Sequence, residues 1–415
     1  MESKVTNVLI SGGWGYGNLG DDAILVSTIK LLKEYLPNAN LYVMSYDVEE
    51  TSRILVEFEG VKVINSLHFY IDRGFSNKFF QYIYGMNSNP EAPSKWKYRY
   101  DVLISFLNFL RFKFFNYLPS ELMKIFSNTD LFIQSGGGYF HGRWISSCLA
   151  HTLEIDLARK FGAKTLVIGQ SIGPFPNFIG PFPYFIIRFL SYISLRNVDK
   201  ILVRDFYSMD ELRKAKIQCG IIPDLALYLG NVDPNRTQSS SKIVIVVNSN
   251  LDDKRKISEL VMSLKDFLRE NNFRIIVTVS RKWSRDLKVS KSLCQELNRN
   301  FVSAELLFHD TIYSLQNEFF GSNLVISNNL HPLVLGARFG VPGIAIVDDL
   351  VAQRKIISFM KQTCQEMRVV HCSNIPYNVL REAVNVNSRK KLCLSIGNLS
   401  NLVKAKFIES LNCLL

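Results

Sequence analysis

The chain has 415 residues, 47% of them hydrophobic and 21% charged, with a formal net charge of +12 at neutral pH. That length allows two or three domains, each burying its own core, and the balance is that of folded globular protein rather than a disordered or fibrous chain. The positive excess suits either a solvated basic surface or attraction to anions, and the lack of RGG tracts, RNP-like aromatic runs and paired Cys/His fingers argues against nucleic acid.

The N-terminal stretch MESKVTNVLISGG runs directly into a strand, with no basic region ahead of an apolar one. No secretory signal is expected, and the chain reads as cytoplasmic. The seven cysteines are scattered without CxxC spacing, which predicts reduced, mostly buried thiols and no structural zinc.

Val8–Ser11 reads as a strand, followed by the turn SGGWGYGNLGDD and an apolar-patterned helix over Ala23–Tyr35. NLYVMSY (40–46) and KVIN (62–65) read as strands two and three. An aromatic, basic segment follows over 67–118. Its helical spacing of Phe, Leu, Arg and Lys over 101–118 fits packing on the sheet; the alternative is a peripheral helix at a membrane surface. This stretch and FIGPFPYFIIRFLSYISL are broken by Pro, Arg or Lys, short of the ~20 apolar residues of a membrane span. DLFIQSGGG (130–138) is a strand running into a second glycine turn, followed by a helix over 146–161. AKTLVIGQSIGPF (163–175) is the next strand, DKILVRDFYS (199–208) another, with a helix from Met209. NVDPNRTQSSSK (231–242) has the composition of a linker. Beyond it strands and helices alternate again: KIVIVVNSN, KISELVMSLKDFLRENN, FRIIVTVS, DLKVSKSLCQELNRN, NLVISNN, HPLVLGARFG and VPGIAIVD.

Alternation of this kind predicts an α/β fold with parallel sheets, here two Rossmann-like domains facing a cleft. The boundaries are 1–230 for the first domain, with 67–118 as an insertion, and 243–371 for the second. Helices over 372–415 are expected to pack back on the first domain.

In such sheets ligands sit beyond the carboxyl ends of the strands, where every glycine turn lies. The first turn contains G-x-G-x-x-G (Gly15, Gly17, Gly20). Asp47 comes somewhat late for the ribose acid of a dinucleotide site, and no GK[ST] makes a P-loop. Asn18, Asp21 and Asp22 stand at the helix start. One carboxylate would serve the helix dipole, leaving one to act as base on a hydroxyl. Gly136, Gly137 and Gly138 would let backbone amides approach a ligand, with His141 and Arg143 close behind. Arg204, at a strand end, has the placement of an anion clamp, and His331, at a helix start, that of a neutral ring whose NH could bond a phosphate.

The ordered blocks GGWGYGNLGDDAIL, SGGGYF, GQSIGPF, VRDFYSMDEL, PDLAL and LHPLVLGARFGVPGIAI resemble the polysaccharide pyruvyl transferase family over most of the chain. The resemblance implies a GT-B-like architecture with the active site between the domains. It implies phosphoenolpyruvate as donor substrate, with no further cofactor and no metal. The acceptor would be a sugar hydroxyl pair of a cell-surface glycan or its lipid-linked precursor, placing the enzyme at the inner face of the plasma membrane. Arg204 and His331 match the family's donor-binding Arg and His. His331 is expected as phosphate contact or general acid, Asp21 as the group that orients or deprotonates the acceptor. Gly13, Asn18, Gly136, Gly137, Gly138, Gln170 and Asn329 are expected to bind substrate.

One position departs from the family: its R-L-H motif reads N-L-H, with Asn329 where an Arg is expected. Losing a charge-assisted contact costs ~1.5–3 kcal/mol, about 10–100-fold in donor binding. Arg281, Lys282 and Arg338 are candidate replacements. The alternatives are a glycosyltransferase using a nucleotide-sugar, with Asp348 or Asp349 on the ribose, and a non-catalytic glycan-binding descendant.

Overall fold

The computed structural model describes residues 6–68, 106–110, 113, 119–141, 145–175, 184–229, 241–300, 302–348 and 353–415. Two parallel sheets organise them. The first contains β1 (Asn7–Ser11), β2 (Asn40–Ser45), β3 (Val61–Asn65), β4 (Leu131–Ser135), β5 (Lys164–Gln170), β6 (Lys200–Val203) and β7 (Gly220–Ile221), in spatial order 3-2-1-4-5-6-7. The second contains β8 (Lys242–Val246), β9 (Arg274–Thr278), β10 (Ala304–Leu306), β11 (Leu324–Ser327), β12 (Gly343–Ile346) and β13 (Val369–Val370), in order 10-9-8-11-12-13. The central strands are apolar along nearly their whole length because helices cover both faces of each sheet.

In each sheet the winding reverses beside the first strand. β1 lies between β2 and β4, and β8 between β9 and β11. These switch points leave crevices at the strands' carboxyl ends, where open α/β sheets bind ligands.

The helices around the first sheet are α1 (Leu19–Tyr35), α2 (Val48–Ile54), α3 (Ser120–Ser127), α4 (Ile145–Lys160), α5 (Tyr184–Arg196) and α6 (Phe206–Lys214). The second half holds α7 (Lys254–Glu270), α8 (Ser284–Arg299), α9 (Ile312–Phe319), α10 (Leu330–Arg338), α11 (Arg354–Gln362), α12 (Tyr377–Ala383) and α13 (Val386–Leu414). α6 begins three residues before the expected Met209, because Asp205 caps it by accepting from Ser208 N at 2.8 Å. α11 sits where the sequence pattern marked no element.

One hydrophobic cluster joins the two halves: Val8, Ile24 and Leu131 of the first, Val325, Leu333 and Phe359 of the second, and Val403, Phe407 and Leu411 of α13. Two further clusters cover the outer faces of the two sheets. Of the helices over 372–415 expected on the first domain, α12 instead buries Leu380 and Ala383 in the second sheet's cluster. α13 touches both domains: Arg389 Nη2 donates to Phe339 O at 3.4 Å, Ser400 Oγ to Leu227 O at 3.4 Å, and Lys200 lies 3.8 Å from Glu409.

Of the aromatic segment 67–118, only residues 67–68, 106–110 and 113 are described; Phe106 and Phe109 are buried in the core, while Leu107 is 49% exposed. Among the described residues no helix is long and apolar enough to cross a membrane.

Candidate active site

The turn after β1 and the turn after β9 meet across the domain boundary. Leu19 N donates to Ser280 O at 3.0 Å and Lys282 N to Gly17 O at 2.8 Å, an antiparallel bridge centred on Asn18 and Arg281. Gly15 and Gly17 have φ of 81° and 79°, the left-handed conformation this crossing needs. Behind the bridge lies a cavity of about 120 Å³. Asn18, Asp21, Gly138 and Arg204 line it from the first domain, Arg281, Asn329, His331 and Lys355 from the second. Tyr16, Tyr46, Tyr139, Ser147 and Trp283 complete the wall.

Arg204 follows β6 and is buried. Its Nη1 donates to Asp224 Oδ2 at 2.8 Å and its Nε to Ser171 Oγ at 2.9 Å. Burial opposes its charge, but Asp224, Asp205 and Asp21 outweigh that and raise its pKa. The same Nη1 lies 3.3 Å from His331 Nε2. A guanidinium only donates, so Nε2 is the acceptor and the ring is neutral. Burial, with the nearby cations adding to it, pushes the imidazole down to about 3. The expected neutral ring is present, set by desolvation. In this neutral ring Nε2 faces Arg204 and the proton sits on Nδ1.

Asp21 lies in the first turn of α1. Its Oδ2 accepts from Asn18 Nδ2 at 2.7 Å and from the Tyr16 hydroxyl. Burial raises its pKa, against the Tyr16 hydrogen bond and the Arg204 and Lys355 charges, which moves it toward the range of a useful base. Asp22 is buried away from the cavity with its pKa pushed well up, again by burial first.

Lys355 is half-buried in the first turn of α11. Among the described residues it makes no ion pair. Burial, aided by Arg204, lowers its pKa to about 8. Sequence patterning missed it because a lysine in QRKIISFM reads as part of a solvated helix face. α11 is docked by Gln362 Nε2 donating to Arg204 O at 2.9 Å and Phe206 N donating to Ser358 Oγ at 3.2 Å, so Lys355 is held against Arg204.

Asn329 caps α10. Its Oδ1 accepts from Leu330 N at 3.0 Å and its Nδ2 donates to Ser280 Oγ at 2.8 Å. Of the three candidate replacement cations, Arg281 lines the cavity, stacked 4.0 Å over the Trp283 ring with its Nε on Asp286 Oδ2 at 2.6 Å. Lys282 is turned onto Glu50 at 2.8 Å, and Arg338 is buried elsewhere against Leu227 O at 3.1 Å.

Four expected binding residues do not line the cavity. A Cβ on Gly13 or Gly137 would fall 2.3 or 2.0 Å from the Tyr139 ring, and one on Gly136 2.3 Å from Ile24, so these glycines admit neighbouring side chains. Gln170 is fully buried under the floor, its backbone oxygen accepting from Arg204 N at 3.1 Å. Asp47 caps α2 and does not line the cavity. Asp348 is paired with Lys256 at 3.1 Å, away from the cavity. Arg143 and Asp349 lie outside the described residues, and His141 lies beside the second glycine turn without reaching the cavity. Apart from the cavity, Asp348, His371 and Cys372 bring ligand atoms within 4.8 Å of one another, with burial first among the causes that push the thiol up to about 12.

The fold is shared with sugar-nucleotide enzymes of GT-B architecture. A glycosyltransferase from Rickettsia africae ESF-5 superposes with a TM-score of 0.55 at 15% identity, covering 99% of each chain. UDP-GlcNAc 2-epimerase from Neisseria meningitidis, solved with UDP-GlcNAc, gives 0.56 at 12% identity over 98% of this chain and 99% of that one. A UDP-N-acetylglucosamine 2-epimerase homologue from Listeria monocytogenes gives 0.59 at 11% identity, covering 98% and 95%. No curated protein sequence matches at a significant level. The sequence model of polysaccharide pyruvyl transferases matches residues 18–349, from the capping Asn18 through Arg204 to His331 and beyond. Across most of its length, then, the chain belongs to the polysaccharide pyruvyl transferase family.

Proposed function

We propose that the protein transfers the pyruvyl group of phosphoenolpyruvate to two hydroxyls of one sugar, in a cell-surface glycan or its lipid-linked precursor, forming a cyclic ketal. The observation that carries this reading is the convergence of Arg204, Arg281 and Lys355 on a cavity of about 120 Å³. Phosphoenolpyruvate concentrates close to three negative charges in a few atoms at pH 7, about two on phosphate and one on carboxylate.

In this reading Arg204 and Lys355 hold the phosphate, and Arg281 replaces the charge that Asn329 lacks. Lys355, with its lowered pKa, can also give up a proton as the donor's methylene carbon is protonated. A sugar hydroxyl attacks C2 and Asp21 accepts its proton. Phosphate leaves with a proton, and the second hydroxyl closes the ring. A lipid-linked acceptor would bring the basic chain to a membrane surface, which flotation with anionic liposomes measures.

The test is a calorimetric titration with phosphoenolpyruvate. Saturable binding that Arg204→Ala abolishes supports the reading. Asn329→Arg should then bind no tighter than about threefold over the native chain, since Arg281 already supplies the charge. No binding at millimolar donor, with retention of a UDP-sugar instead, would replace this reading with glycosyl transfer. Acceptor binding without turnover of either donor would leave a glycan-binding protein.

A further inference from the structure

A polar line runs from the cavity wall into the core of the first domain. The Tyr46 hydroxyl lies 3.2 Å from His151 Nε2 and 3.5 Å from Ser147 Oγ. His151 Nδ1 lies 2.7 Å from Glu154 Oε2, which also accepts from Ser11 Oγ at 2.5 Å. Tyr46 and Ser147 line the cavity, whereas His151 and Glu154 are wholly buried. Ser147, His151 and Glu154 share one face of α4 by their spacing, and Ser11 and Tyr46 come from the ends of β1 and β2.

The proton positions follow from the partners. A carboxylate accepts, so His151 Nδ1 carries the hydrogen and Nε2 presents its lone pair to the Tyr46 hydroxyl. The Tyr139 ring packs on the imidazole, centroids 4.6 Å apart, and Gly13 and Gly137 are the residues that make room for that ring. Gly13 and Gly137 thus support His151 through Tyr139.

A buried Glu–His pair is not something a core needs, since apolar side chains of like volume pack there at no loss. Glu154 Oε1 makes no hydrogen bond among the described residues, a further cost of keeping a carboxylate at this depth. The arrangement is that of a hydroxyl oriented by a base, which is in turn oriented by a carboxylate.

We infer that Tyr46 is a catalytic residue that relays the proton of one acceptor hydroxyl to His151, with Glu154 and Ser11 as positioning residues. This rests on the ketal-forming reading above. That reaction strips protons from two hydroxyls, and Asp21 serves one of them. For the other, the acceptor O–H bond breaks as its oxygen bonds C2. That proton passes to the Tyr46 oxygen while the Tyr46 proton passes to His151 Nε2. The resulting imidazolium faces Glu154. Asp21 gives the proton it took to the departing phosphate oxygen. The His151 proton returns through Tyr46 to the cavity to recharge Lys355, which gave its own to the methylene carbon, so the enzyme ends as it began.

Two measurements test this. The first is phosphate release from phosphoenolpyruvate with a set of p-nitrophenyl hexosides as acceptor probes. Tyr46→Phe and His151→Gln should lower kcat by ~100-fold or more while KM and Kd for phosphoenolpyruvate stay within about twofold. A kcat within threefold of native in Tyr46→Phe overturns the relay while leaving the donor reading intact. The second needs no turnover: long-range ¹H–¹⁵N spectra of the native chain, with His151 assigned by its Gln variant. A protonated Nδ1 and bare Nε2 are expected, with the Nε2 resonance moving in Tyr46→Phe. A protonated Nε2 overturns the proposal whatever the donor is.

Discussion

Lys355 is a cation placed beside another cation. Arg204 adds to the burial that lowers it, and among the described residues no carboxylate pairs with it. Its folded pKa of about 8 lies below the ordinary 10.5, so between those values the unfolded chain binds the extra proton. Stability therefore rises with pH across that window, and below about 8 the folded state carries the full penalty of the buried charge. A bound phosphate reverses this by giving the ammonium its missing partner. We expect phosphoenolpyruvate binding near pH 8 to take up protons, seen as a dependence of calorimetric enthalpy on buffer ionisation. Affinity should fall as pH rises past that point. Lys355→Met should abolish the proton uptake and weaken binding ~10–100-fold. Arg204 and His331 were legible in sequence because strand-end and helix-start positions face the cleft in this fold. Lys355 was not, since nothing in a lysine's neighbours along the chain marks which surface lysine another domain will cover.

Two helix N-termini meet at the site, α1 from the first domain and α10 from the second. Their contact is Gly20 against the His331 ring, where an added Cβ would lie 2.0 Å from Nδ1. No side chain other than hydrogen fits unless one helix withdraws, and His331 is what spaces Arg204 from α10. Gly20→Ala should therefore displace the ring, weaken phosphoenolpyruvate binding at least tenfold and destabilise the chain by ~1–3 kcal/mol. Titration and urea unfolding would read the two effects separately; unchanged binding would mean that the helix contact does not set the site. The strands were readable as unbroken apolar runs because both faces of each parallel sheet are covered. The glycine turns were readable as turns but not by occupant. Gly13 and Gly137 make way for Tyr139, across the fold in the first case and two residues along in the second, and such glycines leave the same local signature as a ligand cradle.

The two domains share a hydrophobic cluster, and α13 closes it from outside. Phe407 and Leu411 are fully buried there, together with Val8 of the first sheet and Val325 of the second. Sharing one core makes the domains depend on one another, which is how the thin bridge between Gly17 and Lys282 can hold a cavity of fixed shape. The expectation at this scale is one cooperative unfolding transition. Phe407→Ala, which removes a buried ring at the point where α13 meets that core, should cost ~3–5 kcal/mol. Because the loss falls on a shared cluster, near-ultraviolet signals from aromatic residues of both domains should shift to lower urea together. If α13 were only a strap on the first domain, the second domain's signals, Trp283 among them, would keep the native midpoint, and the cavity's geometry would have to be ascribed to the bridge alone.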